Sequence, residues 1–399
     1  MAAGTRFPNL DGITASATLE MSARASALEA SGVDMVSLSA GEPDFPTPGY
    51  IVEAAVRAIR EGETRYPPAA GLPALRSAIA AHLNEACGGA WDPGRILVSV
   101  GAKQALFDAI FTLFGPGDRV VVPAPCWVSY VPMVKLARAE PVIVETTADS
   151  RFKLPAERLR EELEAGARGV VLNSPSNPTG AVYDADELDA IVAAAERHGA
   201  WVVADEIYRE IRYEPGFASL AARADGYERI VVVDGFSKAY AMTGWRVGFA
   251  AAPEPAIGAM TRLQGHLNTN TARPSQHAAL AALSDEEARR QAVGTMVSAF
   301  ARRRELLFDA VEGIPGLVPL RPRGAFYLWV EAGDWCDALG AGSATLCLDL
   351  LENEHLALVP GSAFETEGHL RLSFAASDEE LASAAERLEV AARRLGGGG

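Results

Sequence analysis

The chain predicts an α/β protein. A large domain carries a mostly parallel seven-stranded sheet flanked by helices, and a smaller α+β domain accompanies it. Three observations support this reading. Short β-branched runs recur through the middle of the chain, helical patterns separate several of them, and the composition changes after about residue 285.

The strand-like runs fall at 95–100, 119–122, 141–144, 169–172, 201–204, 230–233 and 247–251. They are mostly continuous rather than alternating, as expected of strands covered on both faces. Between them, 104–114 places Leu106, Ala109, Ile110 and Leu113 on one stripe. Asp184 reads as an N-cap with Glu187 three residues on, opening a helix through Ala195. Alternating strands and helices mean a largely parallel sheet. Past 285, helices rich in Arg, Glu and Ala lead through 302–307 to strand-like pieces at 325–330, 356–359 and 369–374, and a last amphipathic helix covers 378–395. A helix near 19–30 is a candidate to join this later part. The expected division is 43–285 for the large domain, with 1–42 and 286–399 forming the small domain and an N-terminal arm. The glycine run 396–399 is expected to be disordered.

With 399 residues, 49% of them hydrophobic, a substantial core is expected. The formal charge of −16 argues against non-specific nucleic-acid binding. Cys87, Cys126, Cys336 and Cys347 form no CxxC pair, and the six histidines show no HExxH, so neither a metal site nor a disulfide framework is expected. The first residues lack an apolar signal core, and no run is long enough to span a membrane. The expectation is a soluble cytoplasmic protein.

Lys238 follows the apolar run 230–233. A lysine at the exit of a buried strand is costly as a cation and tends to lose its proton. A neutral amine attacks aldehydes, which is how Schiff-base lysines arise. Ser237 beside it and Arg246 further on are suited to a phosphate. An aldehyde-reactive lysine next to a phosphate cradle suggests pyridoxal phosphate, although a surface lysine in a loop would look the same in isolation.

Other residues join it. Asp205 ends the run 201–204, at the edge where open α/β sheets bind ligands. A carboxylate there can hold a protonated pyridine nitrogen and keep the ring an electron sink; it also fits a helix N-cap. Tyr208, three residues on, is placed to reach a phenolic oxygen. Asn177 sits in the stiff loop 173–180, which also reads as an ordinary Pro/Gly turn. Gly101, Ala102 and Lys103 lie where a strand meets a helix start, a seat for an anion. Trp127 offers a flat face for a ring, or is a core tryptophan. Arg371 lies in an apolar strand and needs an anion, either a structural acid or a substrate carboxylate.

These motifs occur in a specific order: Gly41-Glu42-Pro43-Asp44-Phe45, Tyr66-Pro67-Pro68-Ala69-Ala70-Gly71, Asn177-Pro178-Thr179-Gly180, Asp205-Glu206-Ile207-Tyr208, Ser237-Lys238-Ala239, Thr243-Gly244-Trp245-Arg246-Val247-Gly248 and Arg371-Leu372-Ser373. The chain resembles class I aminotransferases of fold type I, close to the bacterial aspartate aminotransferase branch, from about Ile13 to about Leu388. The resemblance implies pyridoxal 5'-phosphate on a Lys238 aldimine, with Lys238 then shuttling the α-proton. It implies Asp205 on the pyridine nitrogen, Tyr208 and Asn177 on the phenolic oxygen, and Trp127 stacked on the ring. The phosphate would meet Gly101, the backbone of Ala102 and Lys103, Ser237 and Arg246. The α-carboxylate would meet Arg371, Asn177 and the Gly41 backbone. It further implies a homodimer with shared active sites, in which Tyr66 reaches the neighbour's phosphate. The reaction moves an amino group from an α-amino acid, acidic or aromatic, to a 2-oxo acid with ping-pong kinetics.

Several positions depart from that branch. Cys126 stands where an aromatic usually precedes the tryptophan, Ala15 where proline is common, and 264–276, with His266 and Arg273, replaces a Ser/Thr-rich loop. Lys103 is retained, and its counterpart meets the distal carboxylate in dicarboxylate-specific relatives. A second reading is therefore a lyase or a β/γ-replacement enzyme on the same fold. A cofactor-sensing regulator would carry a DNA-binding domain ahead of this fold, and with the match starting near Ile13 none is expected.

Overall fold

The computed structural model describes residues 7–15 and 17–396. A two-residue strand, β1 (Val36–Ser37), comes first. Seven strands then build the central sheet: β2 (Ile96–Ser99), β3 (Arg119–Ala124), β4 (Glu140–Glu145), β5 (Ala167–Asn173), β6 (Trp201–Asp205), β7 (Ile230–Gly235) and β8 (Gly248–Ala251). Their order is β2-β8-β7-β6-β5-β3-β4. Only β8 runs against its neighbours. Each of the seven apolar runs is one of these strands. Val120 to Val122 and Val231 to Val233 are wholly buried, because helices cover both faces.

Register brings the chemistry to one edge. Asn173 at the end of β5 lies beside Asp205 at the end of β6, and Asp205 lies beside Val233 of β7. The chain leaves β7 directly into Ser237 and Lys238. Ser99 ends β2, and the helix Ala102–Leu113 starts three residues on.

A second sheet comes from β9 (Val318–Leu320), β10 (Tyr327–Glu331), β12 (Val359–Pro360) and β13 (His369–Ser373), while β11 (Leu356–Ala357) precedes β12 and pairs in parallel with β1. The second sheet is antiparallel, in the order β12-β13-β10-β9. The apolar stretch 356–359 is thus two strands in different sheets rather than one, because Leu358 carries the chain from one to the other. Tyr327 pairs with Ser373, so Arg371, two residues earlier, lies on the same face as its diagonal neighbour.

The predicted helices are present as Ala17–Ala30, Ala102–Leu113, Ala185–His198 and Asp378–Gly396, and 302–307 lies inside the long helix Glu286–Glu312. Asp184 accepts from the Glu187 N–H at 3.1 Å, and Glu187 accepts from the Asp184 N–H at 2.9 Å, closing the capping box. Helices such as Pro73–Cys87 escaped the sequence reading, since Leu72 at its N-cap offers no side-chain cap. Arg303 clamps the C-terminal part to the N-terminal segment through two 2.8 Å bonds to Asp44 and a 3.2 Å bond to Asp378. The expectation for 396–399 lies outside the described residues except at Gly396, which closes the last helix.

Candidate active site

A cavity of about 340 Å³ opens at the carboxyl edge of the central sheet. Its wall includes Gly41, Ala102, Lys103, Trp127, Asn177, Asp205, Tyr208, Ser237, Lys238, Arg246 and Arg371. Gly101 sits just behind it as the N-cap of the helix Ala102–Leu113. Of the residues expected to hold the cofactor or substrate, Tyr66 stands apart: it is 85% exposed and does not line this cavity.

Lys238 donates to the Gly41 carbonyl. Burial pushes its pKa down to about 8, helped by the Arg371 and Arg246 cations and opposed by Glu42 and Asp205. A large fraction is therefore neutral amine near pH 8, which is the nucleophilic form. Asp205 accepts from the Ile207 N–H at 3.1 Å and from the Tyr130 hydroxyl at 2.7 Å. Burial raises its pKa to about 6 despite these donors. A cationic ring nitrogen at its free side would draw the pKa back down and hold the carboxylate ionised.

The phosphate end is built from backbone. Gly101 has φ +79°, and a Cβ there would come within 2.6 Å of the Arg246 guanidinium. Glycine thus lets the cation lie against the helix start. Among the described residues Arg246 donates only to carbonyls, of Thr243 at 2.9 Å and Val100 at 3.4 Å. The first amides of this helix, the Ser237 hydroxyl and a guanidinium without an acid partner make a seat suited to a phosphate. Lys103 lies beside it, its ammonium 4.9 Å from the centre of the Trp127 ring.

At the other end Arg371 is 2% exposed. Its Nη1 donates to Asn177 Oδ1 at 3.1 Å and its Nη2 to the Ser39 carbonyl at 2.6 Å. Nε has no partner, and no carboxylate among the described residues pairs with this guanidinium. The ring of Tyr327 lies 4.4 Å beneath it. A buried arginine so placed fits an incoming carboxylate. The open Gly101 seat, the cavity-lining carboxylate of Asp205, the low-pKa Lys238 and the unpartnered fork together fit pyridoxal phosphate and an amino acid.

Sequence reasoning missed Tyr130, Tyr327, Ser39 and the residues Thr18, Leu19 and Ser22 of the helix Ala17–Ala30, all of which line or support the site. Tyr130 carried one signal, its place three residues after Trp127; the two rings meet edge to face at 5.4 Å. Cys126 is buried, donates its N–H to the Phe364 carbonyl at 3.0 Å, and has its thiol pKa raised by burial. His266 is exposed, and Arg273 pairs with Glu63; neither reaches the cavity of this chain. All four cysteines are free thiols, and among the described residues no group of three or more His, Cys, Asp or Glu is placed to hold a metal.

The fold and site define a pyridoxal phosphate enzyme of fold type I. The profile of the aminotransferase class I and II family matches residues 33–388, and the chain belongs to that family. It is 42% identical over 392 residues to a bifunctional aspartate aminotransferase and glutamate/aspartate-prephenate aminotransferase of Petunia hybrida, covering 96% of this chain and 82% of that one. It is 40% identical over 383 residues to the aspartate aminotransferase of Geobacillus stearothermophilus, covering 94% and 96%. The structure of the Thermus thermophilus aspartate aminotransferase with maleate superposes with a TM-score of 0.93 at 39% identity, covering 97% of this chain and 100% of that one. The protein is a pyridoxal phosphate-dependent aminotransferase of the aspartate aminotransferase branch. The lyase or replacement reading is not favoured by these relatives.

Proposed function

We propose that this enzyme exchanges amino groups between dicarboxylic amino acids and 2-oxo acids. One observation carries the reading: besides Lys238 and the phosphate-side Arg246, the cavity wall holds Arg371 and Lys103, and neither of these meets a carboxylate among the described residues. Burial and Arg246 draw the Lys103 pKa down, and an anion beside it would reverse that. Arg371 takes the α-carboxylate and Lys103 the distal one. Aspartate and glutamate have this shape, and the relatives named above include aspartate aminotransferases.

When bound, the cofactor carries the amino group and draws electrons from the α-carbon. The chain's residues do the rest. Lys238 gives and takes the proton at the α-carbon. Asp205 keeps the ring nitrogen protonated. Tyr208 and Asn177 hold the phenolic oxygen, and Trp127 packs on the ring face. Gly101, Ala102, Lys103, Ser237 and Arg246 hold the phosphate. Arg371 and Gly41 would hold the substrate carboxylate and so orient the substrate for loss of its α-proton to Lys238. The 43–285 segment forms the cofactor-binding domain, and 1–42 with 286–399 the smaller one.

Tyr66, remote from its own cavity, serves the second copy of a homodimer in the cytoplasm. No helix among the described residues is long and apolar enough to cross a membrane. The test is a screen of amino donors against cofactor-loaded protein, read by loss of the bound cofactor's visible absorbance. Aspartate and glutamate should bleach it fastest. An enzyme indifferent to both, yet bleached by aromatic donors, overturns the assignment.

A further inference from the structure

Tyr327 is fully buried at the start of β10, and its hydroxyl lies 2.6 Å from the hydroxyl of Tyr208. Neither hydroxyl has another hydrogen-bond partner among the described residues. The same ring supports Arg371 from 4.4 Å, and a Cβ on Gly41 would approach the Tyr327 oxygen to 2.7 Å. Glycine at 41 therefore makes room for this hydroxyl. One side chain touches both the group assigned to the phenolic oxygen and the group assigned to the carboxylate.

We propose that Tyr327 is a positioning residue: it donates to Tyr208, leaving the Tyr208 proton aimed into the cavity, and it fixes the plane of the Arg371 fork. This rests on the aminotransferase reading above. Two phenols sharing one short contact must choose a direction, and only one choice leaves Tyr208 a donor to the ring. Burial raises both pKa values, so both phenols keep their protons and one must donate to the other. The titratable and charged groups facing Tyr208 include Tyr327, Arg371, Asp205 and Tyr130. The sheet register makes the support of Arg371 geometric, since diagonal neighbours on one face pack together.

The experiment uses cofactor-loaded wild type, Tyr327→Phe, Tyr327→Leu and Tyr208→Phe, each checked for fold by circular dichroism. A donor on the phenolic oxygen favours its anionic form, so weakening that donor raises the pH midpoint of the bound cofactor's visible absorbance. Tyr327→Phe should raise it by about 0.5–1 unit, the equivalent of one hydrogen bond, with Tyr208→Phe moving it further the same way. Maleate serves as a non-reacting dicarboxylate probe. Its affinity should change less than about threefold in Tyr327→Phe, which keeps the ring, and fall about tenfold in Tyr327→Leu, which loses the cation–π contact. An unmoved midpoint in Tyr327→Phe, where Tyr208→Phe moves it, overturns the inference. So does wild-type maleate affinity in Tyr327→Leu. A wild type without the absorbance band brings down the cofactor reading beneath both.

Discussion

Tyr130 donates its hydroxyl hydrogen to Asp205 Oδ2 at 2.7 Å, inside the core. The bond leaves the carboxylate one fixed orientation, with Ile207 N–H holding Oδ1. Hydrogen bonds to charged groups contribute about 1.5–3 kcal/mol. Tyr130→Phe should therefore lower kcat/KM roughly ten- to a hundredfold and weaken cofactor binding, while the protein stays folded. Asp205→Asn should be far worse. Steady-state kinetics with a cofactor titration checks the ranking; a Tyr130→Phe enzyme equal to wild type contradicts it.

Lys238→Ala should abolish turnover and leave borohydride nothing to trap on that side chain. In cofactor-free protein the rate of covalent cofactor uptake should climb with pH in two steps. The upper step, near 8, is deprotonation of Lys238, whose pKa burial depresses. The lower, near 6, is ionisation of Asp205, whose pKa burial elevates. Both active forms are the deprotonated ones, so the rate rises at each. Stopped-flow absorbance across about pH 5–9 reads both steps, a window set at about a unit beyond either value, and Asp205→Asn should remove the lower one.

Arg371→Leu removes the buried fork. KM for both the amino acid and the 2-oxo acid should rise by about a hundredfold or more, since breaking a buried charge pair costs about 3–5 kcal/mol. Amines lacking a carboxylate should lose far less. Equal losses for both kinds of donor would falsify the carboxylate assignment.

Gly101→Ala places a methyl within 2.6 Å of the Arg246 guanidinium, at φ +79°. Displaced, that cation no longer faces the helix start. Cofactor affinity should fall about tenfold, for a strain cost of order 1–3 kcal/mol, and inorganic phosphate should compete less well. Equilibrium dialysis against cofactor measures this.

Arg303→Met tests the clamp rather than the chemistry. Its guanidinium holds Asp44 by two 2.8 Å bonds and also meets Asp378. Asp44 is exposed and water takes over part of the lost contact, so the change should cost about 1 kcal/mol, read as a lower thermal midpoint with the cofactor spectrum retained.

Much of the site was legible because its residues sit at the ends of local patterns. A β-branched run names its strand, and the first polar residue after it, as with Asp205 after 201–204, is delivered to the ligand edge of a parallel sheet. Lys238 and Gly101 likewise lie just past the ends of such runs. Tyr130 and Tyr327 were not legible. Each is an aromatic in an apolar setting, and such a residue looks like core until its hydroxyl is seen to meet Asp205 or Tyr208. Strand 356–359 misled for a similar reason: an unbroken apolar run does not record which neighbour each half pairs with.

By itself the amino-acid order determined the parallel sheet and named the lysine, the carboxylate and the helix start proposed to hold the cofactor, since these follow from short-range periodicity and from chemistry at strand ends. Tertiary structure alone decided that Arg371, far along the chain, closes on Asn177 and Ser39 with no acid among the described residues to neutralise it, and that Tyr327 stands between it and Tyr208. The physical reason is range. Backbone propensity and hydrophobic pattern act over a few residues, whereas burial, hydrogen-bond direction and pKa depend on which distant side chains the packed sheets bring within a few ångströms.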